Sequence, residues 1–355
     1  MSDAAQTVLP RWRGFNLLEM FHTRSSGHFV EDDFRWIAEL GFDFVRLPMC
    51  YLLWVEDDDP FRIDEPALES VDRAVRLGEE YGLHVSLNFH RAPGYSVNRE
   101  RQEPFDLWKD AAALDAFCLH WSTFAERYRG VPAERLSFDL VNEPPGPTPD
   151  GMARADHERV VRAAVAAIRE HDPDRLVIID GLRWGRDPCP ELADLAAAPG
   201  AAAPVGADER RRLPGSRGLA QSCRGYDPHA ISHYQAAWVK GETFPEPLWP
   251  GVEFRGETWD RARLDQVYAP WSDLARQGVG VHCGECGGYN KTPHDVFLRW
   301  FRDVLDILTR HQIGYALWNF RGPFGVLDSA RGDIEYEDWH GHPLDRKLLE
   351  LLREF

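Results

Sequence analysis

Short apolar runs alternate along this chain with longer stretches in which apolar residues recur every three or four positions. The runs predict buried strands at residues 14–17, 42–47, 84–89, 136–141, 176–180, 230–234, 279–283 and 315–319. Between them, Leu114, Phe117, Trp121, Phe124 and Tyr128 mark one core-facing helical stripe, and Val296, Phe297, Trp300, Phe301, Val304 and Leu308 another. Leu68, Val71 and Val75 form a third, closed by Gly82 in the manner of a helix C-terminal stop. Eight strands each followed by a helix predict an α/β fold, a (β/α)₈ TIM barrel occupying residues 1–355 as one domain.

Two segments break the rhythm. Residues 196–217 are rich in Ala, Gly, Pro and Arg without periodicity, which predicts a surface insertion. Residues 241–259 carry Phe244, Trp249, Phe254 and Trp259 among Pro and Gly. Such an aromatic loop either walls a substrate cleft or is pinned to the barrel by its own rings.

Composition narrows the function classes. With 58 acidic against 41 basic side chains the formal charge is −17, which repels phosphate backbones and anionic lipid, so neither nucleic acid nor a membrane is expected as a partner. Six cysteines spread over 355 residues do not form a dense disulfide framework. Cys283 and Cys286 make a C-x-x-C, yet no second ligand pair lies nearby and Glu285 sits between them, so neither a metal nor a cofactor is expected. The first twelve residues hold no apolar stretch of signal-peptide length, and the expectation is a cytoplasmic protein or a secreted one whose leader has been removed. Oligomeric state is not legible.

In a barrel the reactive groups sit at the C-terminal ends of the strands. Sorted that way, Arg46 closes strand two, His90 strand three, Asn142 and Glu143 strand four, His233 and Tyr234 strand six, Glu285 strand seven and Trp318 strand eight. Each alone has a structural explanation, but their joint placement at one rim points to a site. Glu143 and Glu285 each end an apolar run, where a carboxylate is costly without a task, and two such carboxylates are the minimum equipment for hydrolysing a glycosidic bond. The 13 tryptophans add flat faces suited to stacking on sugar rings.

These residues resemble a known family. Arg46-Leu47-Pro48, Leu87-Asn88-Phe89-His90, Asn142-Glu143-Pro144, Gly284-Glu285-Cys286-Gly287 and Leu317-Trp318-Asn319 look like the signatures of glycoside hydrolase family 5, the cellulase-like retaining β-glycosidases. The similarity runs from Trp12 to Leu351. It implies Glu143 as acid/base and Glu285 as nucleophile, Asn142 on the sugar 2-hydroxyl, His90 on neighbouring hydroxyls, Trp318 as a platform under the ring, and Tyr234 donating toward Glu285 or the ring oxygen. Two departures stand out. The family places a strand-six His two residues before its Tyr, whereas His233 and Tyr234 are adjacent, and on a regular strand only one would face the site; the reading favours Tyr234. Cys286 stands where an aromatic is more usual.

The resemblance implies hydrolysis of β-linked glucosides or β-glucan oligosaccharides by double displacement, with β-mannosides the alternative and a non-catalytic sugar-binding barrel a more distant one. Glu19 sits where some exo-acting relatives carry an acid that grips terminal hydroxyls, and its alternative is an exposed strand-end charge.

Overall fold

The computed structural model describes residues 9–25, 27–98, 101–196 and 218–355. The expected insertion at 196–217 therefore lies, beyond Ala196, outside the described residues. Eight parallel strands form a closed barrel: β1 (Arg13–Asn16), β2 (Phe44–Cys50), β3 (His84–Ala92), β4 (Leu136–Asp139), β5 (Leu176–Asp180), β6 (Leu219–Gly225), β7 (Gly280–Cys286) and β8 (Gly314–Leu317). Each pairs with its sequence neighbours, and β8 pairs back onto β1, so no strand edge is left open.

Strand six is the correction. The expected run at 230–234 is a short helix, His229–Ser232, and the strand lies earlier, at Leu219–Gly225. The reason is chemical. Ser222 and Arg224 share one face of this strand and carry no apolar signal, while on the other Gln221 exchanges hydrogen bonds with the backbone N–H and C=O of Cys189, each 2.8 Å. A strand whose inner face builds a polar site reads as a loop.

The helices are α1 (Glu31–Glu39), α2 (Glu69–Tyr81), α3 (Ala111–Arg127), α4 (Arg154–His171), α5 (Arg261–Arg276), α6 (His294–Arg310) and α7 (Arg346–Glu354). All six apolar positions of the stripe on α6 are buried, and Gly82 caps α2 in the left-handed conformation, φ 73°. Among the described residues, a turn at Leu182–Gly185 and a 3₁₀ segment at Pro190–Ala196 follow β5, where the pattern of one helix after each strand predicts a helix.

The aromatic segment 241–259 ends in a hairpin, Val252–Phe254 with Glu257–Trp259. Trp249, Phe254 and Trp259 are core residues, and the Trp249 indole donates to Asp303 Oδ2 at 2.9 Å. The rings pin the loop to α6. Only Phe244 stays half-buried, against Tyr234. The same accounting holds for tryptophan generally: nine of 13 are buried, leaving Trp184, Trp238, Trp318 and Trp339 with open surface.

The lower barrel is apolar, with Trp12, Phe44, Leu176, Ile178, Ala220 and Ala316 packed together and Trp12 stacked on His84 at 3.7 Å. Above this floor the inward positions turn polar. No helix among the described residues is long and apolar enough to cross a membrane.

Candidate active site

Two buried arginines organise the upper barrel. Arg46, from the middle of β2 and 1% exposed, donates through Nε to Asp139 Oδ2 (2.7 Å), through Nη1 to Asn16 Oδ1 (3.1 Å) and Glu285 Oε1 (2.8 Å), and through Nη2 to Asn142 Oδ1 (2.9 Å). Arg224, near the end of β6, donates through Nε to Glu143 Oε1 (3.0 Å) and through Nη2 to Asn142 Oδ1 (2.9 Å). Asp180 takes its fork with both oxygens, and Arg224 Nη2 lies 3.4 Å from Glu285 Oε1. One guanidinium therefore touches both glutamates that the sequence singled out. They are neighbours across the barrel mouth.

Local irregularities aim these side chains. The β6–β7 register shifts between Cys283 and Glu285, a bulge that turns Glu285 inward next to Gly284. Gly284 is required there, since a Cβ would sit 2.6 Å from Ser222 Oγ and 3.2 Å from Arg224 Nη1. On β3 the register with β2 skips His90, which swings toward Phe21 and Trp318, with ring centroids 4.4 and 5.7 Å away. Glu143 itself has φ 50°, a left-handed backbone costing a non-glycine residue roughly 1–2 kcal/mol. The surroundings hold it: its N–H donates to Asp180 Oδ2 (2.8 Å) and its carbonyl accepts from the Tyr95 hydroxyl (2.6 Å).

The electrostatics set the two glutamates apart. Four carboxyl groups (Asp139, Asp180, Glu143, Glu285) share two guanidiniums, so the cluster as a whole favours taking up a proton. Burial first, and then the charge of Glu285, push Glu143 up to about 7, against the opposing pull of Arg224. Burial and then Asp180 push Asp139 up to about 6. Glu285, by contrast, accepts from Arg46 Nη1 on Oε1 and from the Tyr226 hydroxyl on Oε2 (3.2 Å), with Arg224 Nη2 3.4 Å from Oε1. Burial and then Glu285 raise the Tyr226 phenol well above its ordinary range, so it remains a donor. The glutamate raised in proton affinity is also the more open one: the Glu143 side chain is 17% exposed and that of Glu285 5%.

Asn142 anchors its Oδ1 on both arginines, which leaves Nδ2 facing away from them. Among the described residues Asn142 Nδ2 and His90 Nδ1 are buried without a protein partner. Burial, then Arg46 and Arg224, hold the His90 imidazole well below its usual range and therefore neutral. Trp318, half-buried, packs against both His90 and Phe21. These groups bring a free donor, a free ring nitrogen and an aromatic face to the same rim.

The strand-six pair is revised by the same geometry. Tyr234 leans on Phe244, and the hydroxyl on Glu285 belongs to Tyr226. His233 packs edge-on against the Tyr226 ring, centroids 4.9 Å apart, and takes part in a hydrogen bond with Ser232 Oγ. Once strand six moves to Leu219–Gly225, the two-residue spacing reappears as Arg224-Gly225-Tyr226, with arginine where the resemblance expected histidine. Sequence reasoning missed Arg224, Tyr226, Asp139 and Asp180. The first two lay in the unrecognised strand; the last two end strands that were recognised, and the rule applied to Glu143 and Glu285 would have found them.

Cys286 opens no pocket. It packs against Gly225, where an added Cβ would come within 2.5 Å of the cysteine Cβ, and its thiol donates to the Ala316 carbonyl. All six cysteines are free, and among the described residues no group of three or more His, Cys, Asp or Glu could hold a metal ion.

Glu19 lies apart from this cluster but next to it. A cavity of about 230 Å³ is lined by Asn16, Glu19, Ser25, Asp33, Asn319 and Arg321 together with Leu17 and Leu18. Glu19 Oε2, Asp33 Oδ2 and Asn319 Oδ1 are buried acceptors without a partner among the described residues. Burial, then the nearby Asp33, raise Glu19 to about 7. Asn16 joins the cavity to the arginine–carboxylate cluster through Arg46, and Asn319 follows Trp318.

Comparison with known proteins places this geometry in context. A family model described as cellulase (glycosyl hydrolase family 5) matches residues 3–322. Endoglucanase C of Acetivibrio thermocellus is 24% identical, over 96% of this chain and 97% of its own length. Cellodextrinase A of Ruminococcus flavefaciens is 22% identical, over 80% of this chain and 76% of its own. A solved glycoside hydrolase at 40% identity superposes with a TM-score of 0.87, covering 97% of this chain and 99% of the other.

Proposed function

Because this chain belongs to glycosyl hydrolase family 5, the cellulase family, it is a retaining β-glycoside hydrolase of the β-glucan-cleaving kind, and we propose that Glu143 is its acid/base and Glu285 its nucleophile. The observation that carries the assignment is the unequal pairing of the two carboxyl groups around Arg224: one raised in proton affinity and partly open, the other buried under three donors. A retaining mechanism needs two such groups about 5 Å apart, near enough for direct attack on the anomeric carbon. In the first step Glu143 delivers its proton to the leaving oxygen as a Glu285 oxygen bonds to the sugar. In the second, Glu143 takes a proton from water, which displaces Glu285. The Asn142 amide is set to donate to the 2-hydroxyl, His90 to meet an adjacent hydroxyl, and Trp318 to lie under the ring.

For substrate length, the Glu19 cavity favours chain ends and short oligosaccharides. Three buried acceptors need donors, and the clustered hydroxyls of a terminal sugar supply them, whereas an internal residue of a long chain has those positions substituted. Digestion of β-1,3-, β-1,4- and mannose-containing oligomers, with chromatography of early products, tests the reading. Mono- or disaccharide released from one end of glucose oligomers supports it; random internal cuts exclude end-on action, and preference for mannose oligomers replaces the glucoside assignment. Glu19→Ala is expected to lower kcat/KM on those oligomers about tenfold to a hundredfold, the worth of hydrogen bonds to a carboxyl group. Unchanged kcat/KM removes Glu19 from substrate binding.

A further inference from the structure

A guanidinium between the acid and the nucleophile does something that an imidazole in the same place would not. Every polar hydrogen of arginine is a donor, and the group does not titrate in any working range. An oxygen facing Arg224 Nε–H must accept, so a proton on that oxygen would oppose the N–H across 3.0 Å. We infer that Arg224 is a positioning residue for the acid step: by occupying Glu143 Oε1 as an acceptor it leaves the catalytic proton on Oε2, the oxygen free to meet the leaving group. The inference rests on the reading of Glu143 as the acid.

The protein immobilises Arg224 for this. Asp180 holds both ends of its fork, Ser222 Oγ takes Nη1 at 2.9 Å, and Asn142 Oδ1 takes Nη2. Glycines clear its path on two sides: a Cβ on Gly185 would fall 2.6 Å from Arg224 Cγ, and one on Gly284 3.2 Å from Nη1. Asp180 also binds the backbone N–H of Glu143, so the arginine and the residue it orients are fixed to one carboxylate. An arginine serving only as counterion for Asp180 would not need its Nε directed at Glu143.

The same contact explains how Glu143 changes role. In the free enzyme the charge of Glu285 favours a proton on Glu143. When Glu285 becomes the glycosyl ester, its negative charge is gone while Arg224 remains. The balance tips toward ionised Glu143, the base that the second step needs. The other charged or titratable groups facing this pair include Asp180, Glu285, Arg46 with Asp139, Tyr226, neutral His90, the buried thiols of Cys223 and Cys283, and Arg186, which is paired with Asp227. Arg224 is the one that touches both catalytic carboxylates and keeps its charge throughout.

The test compares Arg224→Gln, Arg224→Lys and wild type on aryl β-glucosides spanning good and poor leaving groups, each across pH. Arg224→Gln removes a cation from Glu143, so the alkaline limb of kcat/KM is expected to move up by about one to three pH units. Arg224→Lys keeps the charge and loses the fork. Its limb should stay in place while kcat falls at least about tenfold more for poor leaving groups than for activated ones, part of the 10²–10⁴-fold worth of general acid help. An unmoved limb in the glutamine variant, or an unchanged leaving-group dependence in the lysine variant, overturns the inference. If the glutamine variant does not fold, the lysine variant decides alone. Glu143→Ala separates the two readings: a limb that persists there overturns the acid assignment and the inference with it, whereas a limb that vanishes there but stays unmoved in Arg224→Gln overturns the role of Arg224 alone.

Discussion

Glu285→Ala is expected to lose turnover by on the order of 10⁴-fold or more on every β-glucoside, and to regain part of it in azide as the α-glycosyl azide. Both halves follow from position. Glu285 is the carboxylate onto which Arg46, Arg224 and Tyr226 all converge, and removing it deletes the atom that attacks the sugar. The cavity left by one methylene and a carboxylate admits a small anion beside two guanidiniums. Azide attacking from that face inverts the anomeric centre once, where the native double displacement inverts it twice. Full residual activity, or azide products of retained configuration, removes Glu285 from the nucleophile position.

Glu143→Ala should give a different signature. Hydrolysis of oligosaccharides and alkyl glycosides, whose leaving oxygen needs a proton, is expected to fall about 10²–10⁴-fold, while 2,4-dinitrophenyl glucoside loses far less in its first step. In wild type, acid catalysis should fade as pH rises past the point where Glu143 ionises, about 7, so the alkaline limb belongs to this residue and disappears in the alanine variant. Loss of equal size across all leaving groups would mark Glu143 as structural, a holder of Arg224 rather than a proton donor.

Most of the barrel was legible because seven strands bury apolar runs and the long helices bury stripes, and both patterns come from the same demand to remove apolar surface from water. Strand six was not, because its inner face serves the site. Arg224 and Ser222 stand where a core strand would show Val or Ile, and its outer Gln221 is satisfied by the backbone of Cys189 rather than by packing. The error then spread. With the strand misplaced by about ten residues, Tyr234 inherited the contact that the geometry gives to Tyr226, and the guanidinium joining the two glutamates went unseen. The aromatic loop at 241–259 was left between two readings for another reason, since composition alone does not say whether rings face a cleft or their own core.

The most direct test of the central claim is mass spectrometry of the protein inactivated by 2,4-dinitrophenyl 2-deoxy-2-fluoro-β-glucoside, whose fluorine slows both steps while its activated leaving group restores the first. One fluoroglucosyl group per chain, on the peptide holding Gly284-Glu285-Cys286, is the result expected here. A label on Glu143 or elsewhere, or no label with product of inverted configuration, would contradict it.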